Sequence, residues 1–310
     1  MAAPARVLTP ADLRGTVGRH RRESAIRGLF FATAVVSVVI SALIVLSLVG
    51  KAIEFLTQIH ASWLLADGWF PRRNEFSIPT LFVASFLVAG IAMLVATPLS
   101  LGAAVYLSEY ASPRARRRLK PVVELLAGVP SIVIAFFALT VISPDLIQRL
   151  FSSAPLFTMA AAGIGVGILT IPLVATVAED AMHAVPATLR EASYGLGARR
   201  TTTSLRVVFP AAVSGVVAAL IIGLSRAIGE TMVVLVVAGG TGGSPFTTNV
   251  LGGGQTASGA MAALAIGSDQ VKGAGPAFPS LFFVGLLLFA LTFCLNIASE
   301  RFVRRVRQRY

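Results

Sequence analysis

The chain has 310 residues, of which 55% are hydrophobic and only 13% are charged, and its mean hydropathy is +0.81. These values exclude an ordinary soluble domain, in which about 25% of the residues are charged. The formal net charge is +12. A chain this apolar is predicted to lie in a membrane.

Six apolar runs are long enough to cross the hydrocarbon core of a bilayer as helices. In chain order they cover roughly residues 28–49, 78–106, 122–142, 156–178, 211–239 and 279–298. The runs are continuously apolar and do not alternate, so helices are favoured over the strands of an outer-membrane barrel. The predicted fold class is all-α, a polytopic membrane protein with six transmembrane helices.

The first apolar run has the length of a membrane span and not that of a secretory signal. It has more than 20 residues, it lacks a clear small-x-small cleavage site, and further spans follow it. We therefore predict an N-terminal arm at 1–27, an uncleaved first helix with its outer loop at 28–77, a five-helix core at 78–300 and a basic tail at 301–310.

The Lys and Arg residues are distributed unequally between the two sides of the predicted bundle. The N-terminal arm, the second and fourth loops and the tail hold 20 of the 26, whereas the other three loops hold five and Arg226 lies within a span. Positive residues accumulate on the cytoplasmic side, so both termini are predicted to be cytoplasmic. The same bias accounts for the net charge, and nucleic-acid binding is not favoured.

Residue types that bind metals or form disulfides are sparse. Cys294 is the single cysteine and lies in the last span, which predicts no intrachain disulfide and no redox motif. His20, His60 and His183 are scattered without metal-ligand spacing. No metal site, no bound cofactor and no catalytic residue are predicted for this chain.

The loop between the fourth and fifth spans, VPATLREASYGLGARRTTTSLRVVFPAA at 185–212, is strongly patterned. Thr188 followed three residues later by Glu191 matches a capping box, which predicts a short helix that starts at Thr188. Gly195 and Gly197 are predicted to end this helix. A short amphipathic helix at the membrane surface suits docking into a groove of a soluble partner. The plainer alternative is a capped connector that carries positive-inside arginines.

Within this loop, Glu191 and Ala192 are followed by Gly197 six residues after the glutamate and by Pro210 nineteen residues after it. This pattern resembles the EAA loop of the permease subunits of binding-protein-dependent ABC importers. Ser193 stands in place of the second alanine of that motif.

From about residue 78 to the end, the chain is similar to the phosphate importer permeases. Three motifs carry the resemblance: TPLSLGAAVYLSEYA at 97–111, ELLAGVPSIVIAFFAL at 124–139 and GLSRAIGETMVV at 223–234. The GETM sequence at 229–232 favours the PstC type of permease over its sister, the PstA type.

The resemblance implies a type I ABC importer permease (MetI-like) fold and a set of partners. These are a PstA-like sister permease in a heterodimer, a cytoplasmic dimer of PstB-like ATP-binding subunits, an extracytoplasmic PstS-like phosphate-binding protein, and membrane lipid. ATP and Mg²⁺ are expected in the partner ATPase, since this chain has no GxxxxGK[ST] phosphate loop. The residues implied in ATPase coupling are Thr188, Glu191, Ala192, Gly195 and Gly197.

Two charged residues interrupt the fifth apolar run. Because intramembrane charges are costly, Arg226 and Glu230 are candidates for a functional site. Their i, i+4 spacing predicts that they share one helical face and neutralise each other. The planar guanidinium of Arg226 matches a tetrahedral oxyanion, so we expect Arg226 to contact the transported anion and Glu230 to hold Arg226 when the path is empty. The alternative is a buried pair that only fixes helix packing.

Two hydroxyl residues, Ser131 in the third apolar run and Thr231 next to Glu230, are further candidates for the substrate path. They are equally expected as ordinary helix-packing residues. The predicted neutral pair would also become net negative when phosphate arrives, which implies a second cation from elsewhere, such as the sister permease.

The sequence LGGGQ at 251–255 resembles the signature of ABC ATPases but lies in a predicted outer loop. We therefore interpret residues 239–275 as a glycine-rich, flexible outer loop with a possible short helix at 256–267.

Two other functional classes remain open on the sequence alone. A secondary transporter or channel would work without ATP, and a membrane sensor or scaffold would have signalling as its output. Within the importer class, molybdate and sulfate are the competing substrates, since both are tetrahedral oxyanions.

Overall fold

The computed structural model describes residues 17–240, 242–267 and 275–306 of the chain. It divides into two units, residues 1–50 and 51–310. The described part of the first unit is helical and belongs to α1 (Val17–Gln58), whose last residues belong to the second unit. Of the predicted N-terminal arm, residues 1–16 lie outside the described part, as do the last four residues of the tail.

The second unit is built mainly from helices. In chain order they are α2 (Ile78–Val105), α3 (Pro113–Ala127), α4 (Ser131–Phe137), α5 (Gln148–Leu150), α6 (Met159–His183), α7 (Ala187–Gly195), α8 (Arg200–Thr203), α9 (Phe209–Ile228), α10 (Met232–Val237), α11 (Ala257–Ile266) and α12 (Ala277–Val306). π-Helical segments extend α2 (Tyr106–Tyr110), join α4 to α5 (Ala138–Ile147) and join α8 to α9 (Ser204–Val208).

Six helical stretches in the described residues are long and apolar enough to cross a membrane, which confirms the predicted class. They are Arg22–Gln58, Ile78–Tyr110, Ser131–Leu150, Met159–His183, Arg200–Ile228 and Ala277–Arg305. α3 and α7 lie at the same end of the bundle, since ion pairs join them to the ends of α6 and α2 respectively. We call this the basic end.

The core of the second unit is formed where α6 packs against α2 and α9. Small residues bring the backbones of α2 and α6 together: a Cβ atom added at Gly167 would lie 2.9 Å from the carbonyl oxygen of Ala92, and one added at Gly163 would lie 3.0 Å from that of Val88. Gly223 of α9 lies against a side chain of α6, since a Cβ atom added there would overlap with Cγ2 of Val174. In lipid, no hydrophobic effect drives helices together, so they associate through close packing at small residues.

The third span differs from its predicted bounds of 122–142. Residues up to Ala127 belong to the separate helix α3, and the span begins at Ser131. Pro130 disfavours helical geometry at the residue before it and lacks an N–H group, so the chain breaks between the two helices. α3 is amphipathic and lies at the basic end, with Arg114, Arg117 and Leu125 exposed.

A small antiparallel sheet, which the sequence did not predict, joins the loop after α1 to the loop after α10. It has the order β2-β1-β3, with β1 at Gly68–Phe70, β2 at Glu75–Phe76 and β3 at Ser244–Pro245. Trp69 of β1 is fully buried and its ring packs edge-on against Phe76. At three residues or fewer, each strand is too short to show a periodic sequence pattern.

The loop at 239–275 is more ordered than predicted in its described part. Its backbone carbonyls accept hydrogen bonds from the start of α6, namely Gly252 O from Met159 N–H at 3.0 Å and Val250 O from Ala160 N–H at 2.8 Å. The predicted short helix is confirmed as α11, capped by the Thr256 hydroxyl, which accepts from Gly259 N–H at 3.1 Å. Residue 241 and residues 268–274 lie outside the described residues.

Candidate functional site

The fifth apolar run is broken between its two charged residues. α9 ends at Ile228, and α10 begins at Met232. Arg226 lies in the last turn of α9, whereas Glu230 lies outside both helices. The prediction that they share one helical face is therefore wrong. The physical reason is Gly229, which caps α9 and has little tendency to continue a helix.

Arg226 and Glu230 do not form an ion pair in this structure. Within the described ranges, the guanidinium of Arg226 has no hydrogen-bond or ion-pair partner, and its side chain is exposed on the surface of the chain. Glu230 is half-buried, and its backbone carbonyl accepts a hydrogen bond from the Ser258 hydroxyl at 2.6 Å. The predicted neutralisation of one charge by the other is not observed.

The residues of the break are held by α11. Ser258, on the first turn of α11, supplies the hydrogen bond to Glu230, and the Thr231 hydroxyl donates to Gly229 O at 3.2 Å. An open cleft of about 250 Å³ lies beside the break and is lined by Gly229, Thr231 and Ser258 together with apolar residues of α11 and α12. Non-helical backbone at membrane depth is tolerated only where protein buries it or where it lines a cavity. This break lines the cleft, and Glu230 and Thr231 are half-buried, whereas Gly229 is exposed.

The two hydroxyl candidates occupy different positions. Thr231 lies in the break itself and lines the cleft. Ser131 is the first residue of α4, which packs directly against α10. Both side chains are half-buried. The structure thus packs the helix that carries Ser131 against the helix that follows the break.

The helix predicted in the loop at 185–212 is present as α7, although its start differs. α7 begins at Ala187, and Pro186 occupies the capping position without a side-chain hydrogen bond. The capping box from Thr188 to Glu191 is therefore wrong, because the proline already sets the start of the helix one residue earlier. Thr188 and Glu191 are both exposed in the first turns.

The predicted end of α7 is confirmed. Gly197 has a φ of +78°, Gly197 N–H donates to Tyr194 O at 2.9 Å and Ala198 N–H donates to Ser193 O at 3.1 Å. This is the Schellman arrangement, which favours glycine at the left-handed position. Gly195 is the last helical residue. The Ser193 hydroxyl lies 2.9 Å from that of Thr203, so the side chain that departs from the EAA pattern ties α7 to α8.

Two exposed apolar side chains at the end of α7 were missed by sequence reasoning. Leu196 is 89% exposed and Tyr194 is 43% exposed. They sit beside Glu191 and Ala192, which are exposed too. The signal in the sequence is a leucine between two glycines at a helix end, where no apolar neighbour can cover it. We call the surface from Glu191 to Leu196 the coupling surface.

A cluster of charges fixes α3 to the end of α6. Glu179 is fully buried and accepts from Arg116 Nε at 2.8 Å and from Lys120 Nζ at 2.7 Å. Lys120 also donates to Asp180 at 2.5 Å. Partial burial lowers the pKa of Lys120, but the hydrogen bonds to Asp180 and Glu179 outweigh this effect and raise the pKa above its ordinary value. Lys120 therefore stays charged at neutral pH, and its stabilising contribution is lost only as the pH rises through that raised pKa.

Replacing Glu179 by glutamine is expected to lower the free energy of unfolding by about 3 kcal/mol, because it removes the buried charge that two cations share. Asp180→Asn is the matched control, since Asp180 is 60% exposed and its pair with Lys120 is expected to contribute less than about 1 kcal/mol. The midpoint of thermal unfolding in detergent measures both. Equal shifts in the two variants would contradict the assignment of Glu179 as the centre of the cluster.

Comparison with known proteins places the chain in a family. Residues 96–308 match the family model described as "Binding-protein-dependent transport system inner membrane component". The chain is 31% identical over 291 residues to the phosphate transport system permease protein PstC of Haemophilus influenzae, covering 87% of this chain and 89% of that protein. It is 35% identical over 201 residues to the probable ABC transporter permease protein YqgH of Bacillus subtilis, covering 63% of this chain and 62% of that protein, a little under two thirds.

The fold is shared with a solved importer. A crystal structure of a bacterial ABC transporter involved in the import of the acidic polysaccharide alginate aligns with a TM-score of 0.64 and 13% identity, covering 94% of this chain and 100% of that chain. At this identity the likeness shows the fold alone, and it confirms the ABC importer permease architecture. The chain belongs to the family of binding-protein-dependent transport system inner membrane components.

Proposed function

We propose that this chain is the PstC-like permease subunit of an ATP-driven phosphate importer. The observation that carries the proposal is Arg226, which has no hydrogen-bond or ion-pair partner among the described residues and lies exposed directly before the break in its helix. The relative from Haemophilus influenzae is named as a phosphate transport permease, which supports phosphate as the substrate.

The exposure of Arg226 argues for a polar path at this surface. Arg226 lies in the apolar stretch that α9 and α10 form, 17 residues after Phe209 and 11 before Val237. A charge that faces lipid at such a depth costs at least about 2.5–3.5 kcal/mol. A hydrated path between this chain and a sister permease removes that cost. The break itself fits this function, since transporters bind substrates and ions where their helices are discontinuous.

The charges at the break suit a passing anion and not a permanently bound one. Arg226 offers a fork of N–H donors that matches two oxygens of a tetrahedral oxyanion. Glu230 lies four residues further and is not paired with Arg226, so its negative charge weakens anion binding and promotes release. Phosphate carries about −1.5 to −2 charges by analogy with phosphorylated side chains, and a second cation is needed. In this proposal the sister permease supplies it.

The basic end faces the cytoplasm in this proposal. α3 carries a cluster of arginines there, and positive residues accumulate on the cytoplasmic side of a membrane. The coupling surface then meets the dimer of ATP-binding subunits, in which ATP and Mg²⁺ are bound. Closure of that dimer moves α7 and switches the path between its two openings, while a binding protein delivers phosphate at the opposite side.

Uptake of labelled phosphate tests this function in cells whose only high-affinity system contains this chain. We expect ATP-dependent uptake that persists in the presence of excess sulfate and molybdate. Uptake that either competitor abolishes would assign another oxyanion to the importer. Transport by this chain alone, without an ATP-binding subunit, would contradict the importer proposal and favour a secondary transporter.

A further inference from the structure

A buried ion pair joins the helix of the coupling surface to a span that is distant in sequence. Arg190 of α7 donates from Nη2 to Glu109 Oε1 at 2.8 Å and from Nε to Oε1 and Oε2 at 3.3 and 3.4 Å. The side chain of Glu109 is 3% exposed and that of Arg190 is 18% exposed. Glu109 lies in the π-helical segment that ends the span of α2. The pair therefore connects residues 81 positions apart in the chain.

The guanidinium of Arg190 also holds the end of α6. Nη1 donates to Val185 O at 2.6 Å, and Nη2 donates to Met182 O at 2.8 Å. These carbonyls belong to the last turn of α6 and to the residues after it, where regular helical hydrogen bonds end. Met182 O accepts there from Val185 N–H as well, at 3.3 Å. One side chain thus fixes α7 to the ends of both α2 and α6.

A second contact joins the same loop to the same span. The guanidinium of Arg200, at the start of α8, lies 5.2 Å from the ring centroid of Tyr110, the neighbour of Glu109. Along the chain, α7 connects α6 to α8 and α9 and is not continuous with α2. The side-chain contacts between this loop and the α2 span therefore join segments that are not neighbours along the chain.

We propose that the Glu109–Arg190 pair is a positioning element that transmits displacement of α7 to α2. The inference rests on the proposed function, since it requires that an ATP-binding subunit moves α7. A buried and nearly desolvated pair with several hydrogen bonds resists separation, because either partner left alone would be an uncompensated charge. α2 is in turn packed against α6 through glycine contacts, so α7, α2 and α6 move together. Without the pair, α7 moves while α2 is left behind.

The test uses the complete importer in proteoliposomes, with ATP hydrolysis and phosphate import measured in the same preparation. Arg190→Gln is expected to keep ATP hydrolysis within about twofold of the wild type and to raise the ATP hydrolysed per phosphate imported by about tenfold or more. The coupling surface and the break are unchanged in this variant. A purely structural role would instead lower both activities in proportion to the amount of assembled complex.

Three further variants make the result specific. Glu109→Gln is expected to raise the ATP hydrolysed per phosphate imported, as Arg190→Gln does. The double variant Glu109→Arg/Arg190→Glu, which exchanges the two charges, is expected to bring this ratio part of the way back to the wild-type value. Arg206→Gln is the matched control, because Arg206 lies in the same loop, is exposed and has no ion-pair partner among the residues described. The Arg206→Gln complex is expected to hydrolyse as much ATP per phosphate imported as the wild type.

The outcomes separate this inference from the proposed function. A wild-type complex that imports phosphate, together with an assembled Arg190→Gln complex of unchanged ratio, would overturn the inference and leave the function intact. A wild-type complex that hydrolyses ATP without importing phosphate would instead contradict the proposed function.

Discussion

Replacing Arg226 by lysine is expected to lower phosphate uptake ten- to a hundredfold, although the positive charge remains. Lysine provides one ammonium group in place of the planar fork, so the two-point contact with the oxyanion is lost. Hydrogen bonds to charged groups contribute about 1.5–3 kcal/mol each, which corresponds to roughly this range in rate or affinity. Uptake of labelled phosphate in cells, normalised to the amount of assembled complex, measures the effect.

The control for this change is Arg301→Lys, an arginine that is exposed near the end of α12 and outside the path. It is expected to leave uptake unchanged. If Arg226→Lys also supports normal uptake, then charge alone matters at this position and two-point contact is refuted. If Arg226→Ala supports normal uptake, Arg226 has no part in the path.

The spans could be predicted because their signal is the length of an apolar run, which does not depend on neighbouring helices. The bounds of the third span could not be predicted in the same way. Residues 122–127 are apolar enough to extend it, yet Pro130 separates them into α3, whose position depends on the charges gathered by Glu179. Those contacts join residues about 60 positions apart, and nothing in the local sequence indicates them.

The break in the fifth apolar run shows where a spacing rule fails. The i, i+4 relation of Arg226 and Glu230 predicts a pair only if the helix continues through Gly229. The run on both sides is apolar, and Gly229 alone does not predict an interruption, because an isolated glycine is tolerated within a helix. The break is stabilised from outside by Ser258, whose hydroxyl binds the carbonyl oxygen of Glu230. The residues of the candidate site were predicted, whereas their arrangement depends on α11.

The loop at 185–212 contains both kinds of feature: one that the local sequence predicts and one that depends on a distant segment. Gly197 ends α7 through a local backbone requirement, a positive φ, which the sequence shows directly. The Glu109–Arg190 pair is a contact between distant segments, and Arg190 looks like any other positive-inside residue in the sequence. The end of α7 was therefore predictable from the local sequence, whereas its capped start was not, nor was the contact that gives α7 its proposed mechanical role.

Replacing Leu196 by aspartate is expected to weaken binding of the ATP-binding subunit roughly thirtyfold or more and to abolish most uptake. Leu196 is 89% exposed at the tip of the coupling surface, where an apolar side chain fits a groove on a partner. Loss of a hot-spot contact in an interface costs about 2 kcal/mol or more, and the introduced carboxylate adds the cost of its desolvation. Copurification of the ATP-binding subunit with the tagged permease measures the change.

Leu196→Met is the matched control for this variant, since it keeps an apolar side chain of similar volume and is expected to retain the partner. The contrast with Arg190→Gln is the sharper outcome. Leu196→Asp should lose the ATP-binding subunit, whereas Arg190→Gln should retain it and lose only coupling. Retention of the subunit by Leu196→Asp would show that the exposed end of α7 is not where it docks, and loss of the subunit by Arg190→Gln would show that docking and transmission are not separate functions of this loop.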